Sequence, residues 1–284
     1  MRVKIISDLH ISDFSMSNDF FIDDNDLISY LDKTKHDCDY VVFNGDVFEC
    51  WETDFASQEE KFLKIERVRP TFMTYFYANL VDVSTLNITI TDQTNTSDRK
   101  FIYVNGNHDV IARKMIPGKV CRTVTFQTKA NRVFVAHGHD ADVFNAENRC
   151  CSLVGRNITR CVGLAENLID PDIDRTLSKL QNTFCGNERH VYEHHARLLG
   201  RSRGYDCVVY GHTHDGYMKE MDDMVYCNSG NIAGKNEFEE IVLDMHHTYM
   251  NIYHRKLSDV LEVTYIEMVP CVSTKKGKMK HVVL

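Results

Sequence analysis

Five short clusters in this chain carry side chains that bind divalent cations: Asp8-Leu9-His10, Gly45-Asp46, Gly106-Asn107-His108-Asp109, His137-Gly138 and Gly211-His212-Thr213-His214. Carboxylate, amide and imidazole are mixed and no thiolate takes part. Such a set suits Mn²⁺, with Fe or Zn²⁺ as alternatives, better than Ca²⁺. Two residues apart on an extended segment, Asp8 and His10 face one side and can grip a single ion. His212 and His214 repeat that spacing with two imidazoles. The two oxygens of Asp46 can bridge two ions, and Asn107 offers a neutral carbonyl oxygen that fills a shell without adding charge. A pair of ions about 3.5–4 Å apart neutralises phosphate oxygens and acidifies water, which is the chemistry of phosphate ester and anhydride cleavage.

The elements that must position these clusters are short apolar runs. Residues 2–7, 40–44, 101–104, 132–136 and 207–210 each read as a strand that stops at one of the five clusters. In layered α/β proteins ligands collect at the carboxyl ends of strands, where loops from several strands converge. Glycines beside the ligands let the backbone turn sharply. Between the strands, residues 26–34 read as a helix. Phe62, Ile65, Phe72, Phe76 and Leu80 recur at three- and four-residue steps and predict one long helix from Ser57 to Leu80. Residues 81–90 either extend that helix or form a strand, and 92–100 form a polar loop. After Gly216 the segments 224–228, 239–245, 248–254 and 262–269 alternate in strand fashion. Helices between the early strands favour α/β layering.

Residues 141–203 differ in texture: polar, Arg-rich and Leu-spaced, with Pro171 as a break. They predict a helical insertion, a candidate cap, within a domain spanning 1–270. Residues 271–284 form a basic C-terminal tail. An apolar fraction of 43% and a charged fraction of 26% place the chain among ordinary globular proteins. The net charge of −8 argues against a surface that coats nucleic acid. Ten cysteines without a C-x-x-C pair read as reduced thiols. The first residues hold too short an apolar run for a signal peptide, and no stretch reaches the roughly 18 apolar residues of a membrane span. The expected setting is cytoplasmic. Oligomeric state is not legible in the sequence.

The order of the five clusters resembles the calcineurin-like metallophosphoesterase superfamily from Asp8 to about Gly230. That resemblance implies a four-layer α/β/β/α sandwich. It implies one ion held by Asp8, His10, Asp46 and His214, and a second held by Asp46, Asn107, His137 and His212. His108 matches the family's general acid, and Asp109 would orient it. Within the superfamily, Gly45-Asp46-Val47-Phe48-Glu49-Cys50-Trp51, the His137-Gly138-His139-Asp140 stretch and Tyr226-Cys227-Asn228-Ser229-Gly230 are similar to the UDP-2,3-diacylglucosamine pyrophosphohydrolase-like branch. The expected activity is hydrolysis of a phosphodiester or pyrophosphate in a small molecule, such as a nucleotide-sugar or a related phosphorylated metabolite. The same ligand pattern also serves nucleases and phosphoprotein phosphatases of the superfamily, and some members act as protein-binding scaffolds.

The remaining candidates are weaker. Apolar residues of 153–168 pack as well against a body as against acyl chains. Arg149, Arg156, Arg160 and Arg203 could clamp a second phosphate. Trp51, the only Trp, reads as a packing residue and His139 as a neighbour that supports the ligands. His36, His190, His194, His195, His246 and His247 have no motif partners.

Overall fold

The computed structural model describes residues 1–13, 22–51, 57–92, 100–141, 188–222, 224–232, 238–259 and 262–271. Two sheets carry the chain. The first has seven strands in the order β13 (Glu262–Cys271), β12 (Met250–Asp259), β11 (Phe238–Met245), β1 (Arg2–Ile6), β2 (Tyr40–Asn44), β4 (Phe101–Val104) and β5 (Val120–Cys121). The second has six, in the order β3 (Asn87–Thr91), β6 (Thr123–Gln127), β7 (Arg132–Ala136), β8 (Cys207–Tyr210), β10 (Met224–Asn228) and β9 (Tyr217–Met221). Strands β1, β2, β4 and β5 pair in parallel, as do β7, β8 and β10, so their carboxyl ends open on the same edges.

Alternation along each central strand makes the layers. Val3, Ile5, Val42 and Ile102 of the first sheet meet Val124, Val133, Cys207, Val209 and Val225 of the second in one apolar core. The intervening residues Ile6, Val41, Phe43 and Phe101 face the other way. They pack with Leu27, Phe62, Phe72 and Phe76 from α1 (Asp24–Asp37), α2 (Gln58–Val68) and α3 (Pro70–Asn79). On the outer face of the second sheet, Val208, Tyr210 and Tyr226 pack on Tyr192 and Ala196 of α5 (Glu188–Arg203), which follows the short α4 (Ala112–Met115). Two-residue periodicity with both faces covered is the condition for a buried, largely parallel sheet. The result is the helix–sheet–sheet–helix sandwich.

The single helix expected from Ser57 to Leu80 is two. Ser57 caps α2 through a reciprocal capping box with Glu60, and the helix stops at Arg69, whose backbone leaves the helical region at φ −122° and ψ 49°. Pro70 opens α3 at its first turn. A residue before proline is pushed out of the α region, and proline is tolerated in a helix only at its start. Arg69, almost fully buried, ties the break to the N-terminal region by donating from Nε to the Ser12 carbonyl at 2.9 Å and pairing with Asp24. Residues 81–90 do not extend the helix: β-branched Ile88, Thr89, Ile90 and Thr91 lie in β3, paired in parallel with β6.

Most of the expected insertion, 142–187, lies outside the described residues, as does the tail from 272 onward. Among the described residues no helix is long and apolar enough to cross a membrane.

Candidate metal centre

The five clusters occupy the loops at the carboxyl ends of β1, β2, β4, β7 and β8. Those after β1 and β2 stay stitched beyond the strands: Asp8 N donates to the Gly45 carbonyl at 3.0 Å and His10 N to the Asp46 carbonyl at 2.9 Å. In the second sheet Gly211 N donates to the His137 carbonyl at 3.0 Å. Asn228 then holds the last cluster, its Nδ2 donating to the Gly211 carbonyl at 2.8 Å and to Thr213 Oγ1 at 3.0 Å.

Among the described residues, six non-glycine positions have positive φ: Asp8, His10, Asp46, His212 and His214, between 49° and 71°, and Asp222. Five of the six are therefore expected ligands. The left-handed region costs an L-residue roughly 1–2 kcal/mol, and such strain concentrates at functional sites where the surroundings fix it. The extended segment assumed for Asp8 and His10 is thus replaced by a kinked one. The two side chains still converge, but through left-handed turns and not through strand alternation.

Convergence is close. Asp8, His10 and His214 present ligand atoms within 4.8 Å of one another, and Asp46, His137 and His212 form a second such group. His10 Nε2 faces His214 Nε2 at 3.2 Å, and His214 Nε2 lies 3.4 Å from Asp8 Oδ1. His137 links the groups: its Nε2 sits 3.0 Å from Asp46 Oδ2 and 4.0 Å from Asp8 Oδ1, while Asp46 Oδ1 accepts the backbone N–H of His108 at 2.9 Å. Asn107 Oδ1 is 3.1 Å from the same His137 nitrogen.

These contacts fit divalent cations. The Nδ1–H of His137 donates to the Asn44 carbonyl at 2.8 Å, which leaves the Nε2 lone pair facing two acceptor oxygens. Nδ1 of His10 is taken by Glu49 Oε2 at 2.8 Å, leaving its Nε2 against another imidazole nitrogen. Asp8 Oδ1 is buried without a hydrogen bond. Lone pairs aimed at lone pairs in a buried pocket are costly unless a cation or proton lies among them.

The electrostatics agree. Burial opposes a charged ring on His10, yet the Glu49 hydrogen bond and charge outweigh it and push the pKa up to about 10. His137 is raised to about 9 against the same burial by Asp46 and Asp8. Burial likewise opposes ionisation of Asp8 and Asp46, but His137 and the other imidazoles hold both carboxyls below the usual range. The cluster is a negative field that retains positive charge.

His108 sits beside this cluster, and Asp109 does not touch it there. The Asp109 carboxylate accepts Gly106 N at 2.6 Å, Val47 N at 2.7 Å and the Tyr103 hydroxyl at 2.6 Å, so it ties the β4 loop to the β2 loop. Burial and the nearby Asp46 charge push its own pKa up. The carboxylate on His108 is Glu49, whose Oε2 takes His108 Nδ1 at 2.7 Å as well as His10 Nδ1. Burial disfavours the charged His108 ring, but Glu49 and Asp46 raise its pKa. Glu49 carries no role in the sequence reading, although it stands in the quoted Gly45–Trp51 stretch. The Asn44 carbonyl leaves no signal at all, because a backbone acceptor is independent of side-chain type. Trp51 is buried and stacked on His108. His139 is buried, its ring 5.4 Å from that of His137 and 6.4 Å from that of His212. Of the four insertion-region arginines only Arg203 is described, at the exposed end of α5.

A layered sandwich whose two sheets deliver imidazoles and carboxylates to one edge is the framework of a metal-dependent phosphoesterase. The sequence model of the calcineurin-like phosphoesterase family matches residues 1–216, and the chain belongs to that family. It is 31% identical over 96 residues to phosphodiesterase MJ0936 of Methanocaldococcus jannaschii, a match covering 28% of this chain. The chain thereby spans about half of that relative, 54% of its length. In three dimensions it is similar to a dimetal phosphatase from Danio rerio, with a TM-score of 0.52 at 12% identity over 96% of this chain and 99% of that one. That likeness concerns the fold.

Proposed function

We propose that the protein hydrolyses a phosphodiester or pyrophosphate bond in a small phosphorylated molecule, such as a nucleotide-sugar, with two divalent cations. Asp8, His10, Asp46 and His214 would hold one cation and Asp46, Asn107, His137 and His212 the other. Mn²⁺ suits the ligand set best, with Fe or Zn²⁺ as alternatives. The carrying observation is the pair of ligand groups, in the loops of both sheets, that adjoin at His137, whose Nε2 lies 3.0 Å from Asp46 Oδ2 and 4.0 Å from Asp8 Oδ1. When bound, two such ions neutralise phosphate oxygens and lower the pKa of the attacking water.

The chain's own residues do the rest. The Asn44 carbonyl and Glu49 hold the Nδ1 nitrogens of His137 and His10, so that each Nε2 faces inward. Partners of this kind orient ligands and fix their tautomers. His108, fixed at Nδ1 by Glu49, keeps Nε2 for donating a proton to the leaving oxygen. Asp109 acts at one remove, fixing the Gly106 turn from which Asn107 and His108 project. Among the described residues, Cys38, Cys50, Cys121, Cys207 and Cys227 are free and buried, which fits the cytoplasmic setting read from the sequence.

The test is an assay of chelated protein with Mn²⁺ restored, on bis-p-nitrophenyl phosphate, p-nitrophenyl phosphate and single-stranded DNA. Metal-dependent turnover of the diester above the other two is expected. Preference for the monoester points to a phosphatase, preference for DNA to a nuclease, and no turnover in any arm to a scaffold.

A further inference from the structure

The indole of Trp51 lies on the imidazole of His108, with ring centroids 4.4 Å apart and planes 18° from parallel. The Trp51 ring is nearly inaccessible, at 2% exposure, so it is not a platform for a substrate base. Its backbone N–H donates to Glu49 Oε1 at 2.6 Å, while Glu49 Oε2 takes His108 Nδ1. His108 is therefore held in two independent ways. The carboxylate sets the direction of Nδ1, and a ring held by that bond alone could still tilt about it. The stacked indole removes the tilt. His10, edge-on at 4.8 Å, bounds another side.

We propose that Trp51 is a positioning residue for proton donation: its indole face fixes the His108 plane so that Nε2 meets the leaving oxygen, while its backbone N–H steadies Glu49. The inference rests on the hydrolase reading above. Donation by a positioned acid is worth about 10²–10⁴-fold and matters most where the leaving group is basic. A loss of orientation therefore acts on kcat for poor leaving groups, with good leaving groups and KM little changed.

The experiment compares Trp51→Leu, Trp51→Phe and His108→Ala with the Mn²⁺-loaded wild type, on aryl phosphodiesters ranging from p-nitrophenyl to phenyl leaving groups. In Trp51→Leu, which fills space without a ring face, kcat for the phenyl ester should fall at least ~10-fold and kcat for the p-nitrophenyl ester less than ~3-fold, a fraction of the full acid effect. Trp51→Phe should recover most of the loss. A second arm needs no metal or turnover. Trp51 is the only Trp in the chain, so His108→Ala should raise its fluorescence by removing the quenching imidazole. An equal loss across all leaving groups, a Phe variant no better than Leu, or emission unchanged in His108→Ala overturns the inference. A wild type that turns over none of the esters, while emission still responds, supports the ring contact and overturns the hydrolase reading.

Discussion

Glu49 accepts from two imidazoles with different proposed roles: His10, a proposed cation ligand, and His108, the proposed acid. One carboxylate thereby ties ligand orientation to acid orientation. A glutamine carries no charge, and with its one oxygen at the two imidazoles its amide nitrogen would face the Trp51 backbone N–H, donor against donor. Glu49→Gln should lower turnover by about 10–100-fold, the range seen when the partner of a ligating histidine is lost, with the melting temperature little changed. Steady-state kinetics alongside thermal melting checks this. His108→Ala should keep its metal, by elemental analysis, yet lose turnover by about 10²–10⁴-fold on alkyl diesters; full activity there would remove the acid role. The candidate ligands are legible in the sequence, because residue type and spacing announce them. Glu49 is not, because its two partners lie 39 and 59 positions away and nothing local marks that meeting. Asp109, which the resemblance assigns to orienting His108, has its carboxylate turned to Gly106, Val47 and Tyr103, partners that no local pattern marks.

At the scale of elements, the loops matter more than the strands that end in them. A Cβ on Gly106 would collide with the Asp46 carboxylate and backbone, and one on Gly45 would collide with the His137 ring. Gly106→Ala should therefore displace Asp46, destabilise the protein by about 1–3 kcal/mol as overpacking does, and lower metal retention. Denaturant unfolding and elemental analysis on one preparation measure both. Strand positions are readable because apolar runs stop at polar clusters. The break between α2 and α3 is marked by Pro70, yet a continuous three- and four-residue pattern runs through it, since both helices cover one sheet face with Phe62, Phe72 and Phe76. Periodicity reports the buried face and passes over the interruption. The left-handed turns at Asp8, His10 and Asp46 have no counterpart in the sequence, where aspartate and histidine are compatible with many conformations.

For the whole molecule, four layers follow from strands apolar on both faces. Phe76 lies at the centre of the helical layer, in ring contact with Phe43, Phe48, Phe72 and Tyr103. Phe76→Ala should cost about 3–5 kcal/mol in denaturant unfolding, without altering the ligands. The described cysteines should also report on this packing: burial pushes the Cys38 thiol up to about 11 and the Cys121 thiol up to about 12. Alkylation at pH 8, mapped by peptide mass spectrometry, should leave both unmodified until denaturant is added. The sandwich exists, on this account, to bring the loop edges of two sheets together around a shared Asp46. Anomalous diffraction at the manganese edge from crystals grown with Mn²⁺ tests that most directly. Two peaks flanking the Asp46 carboxylate are expected, one beside His10 and His214 and the other beside His137 and His212. Peaks absent from this cluster, or found only elsewhere on the molecule, would contradict it.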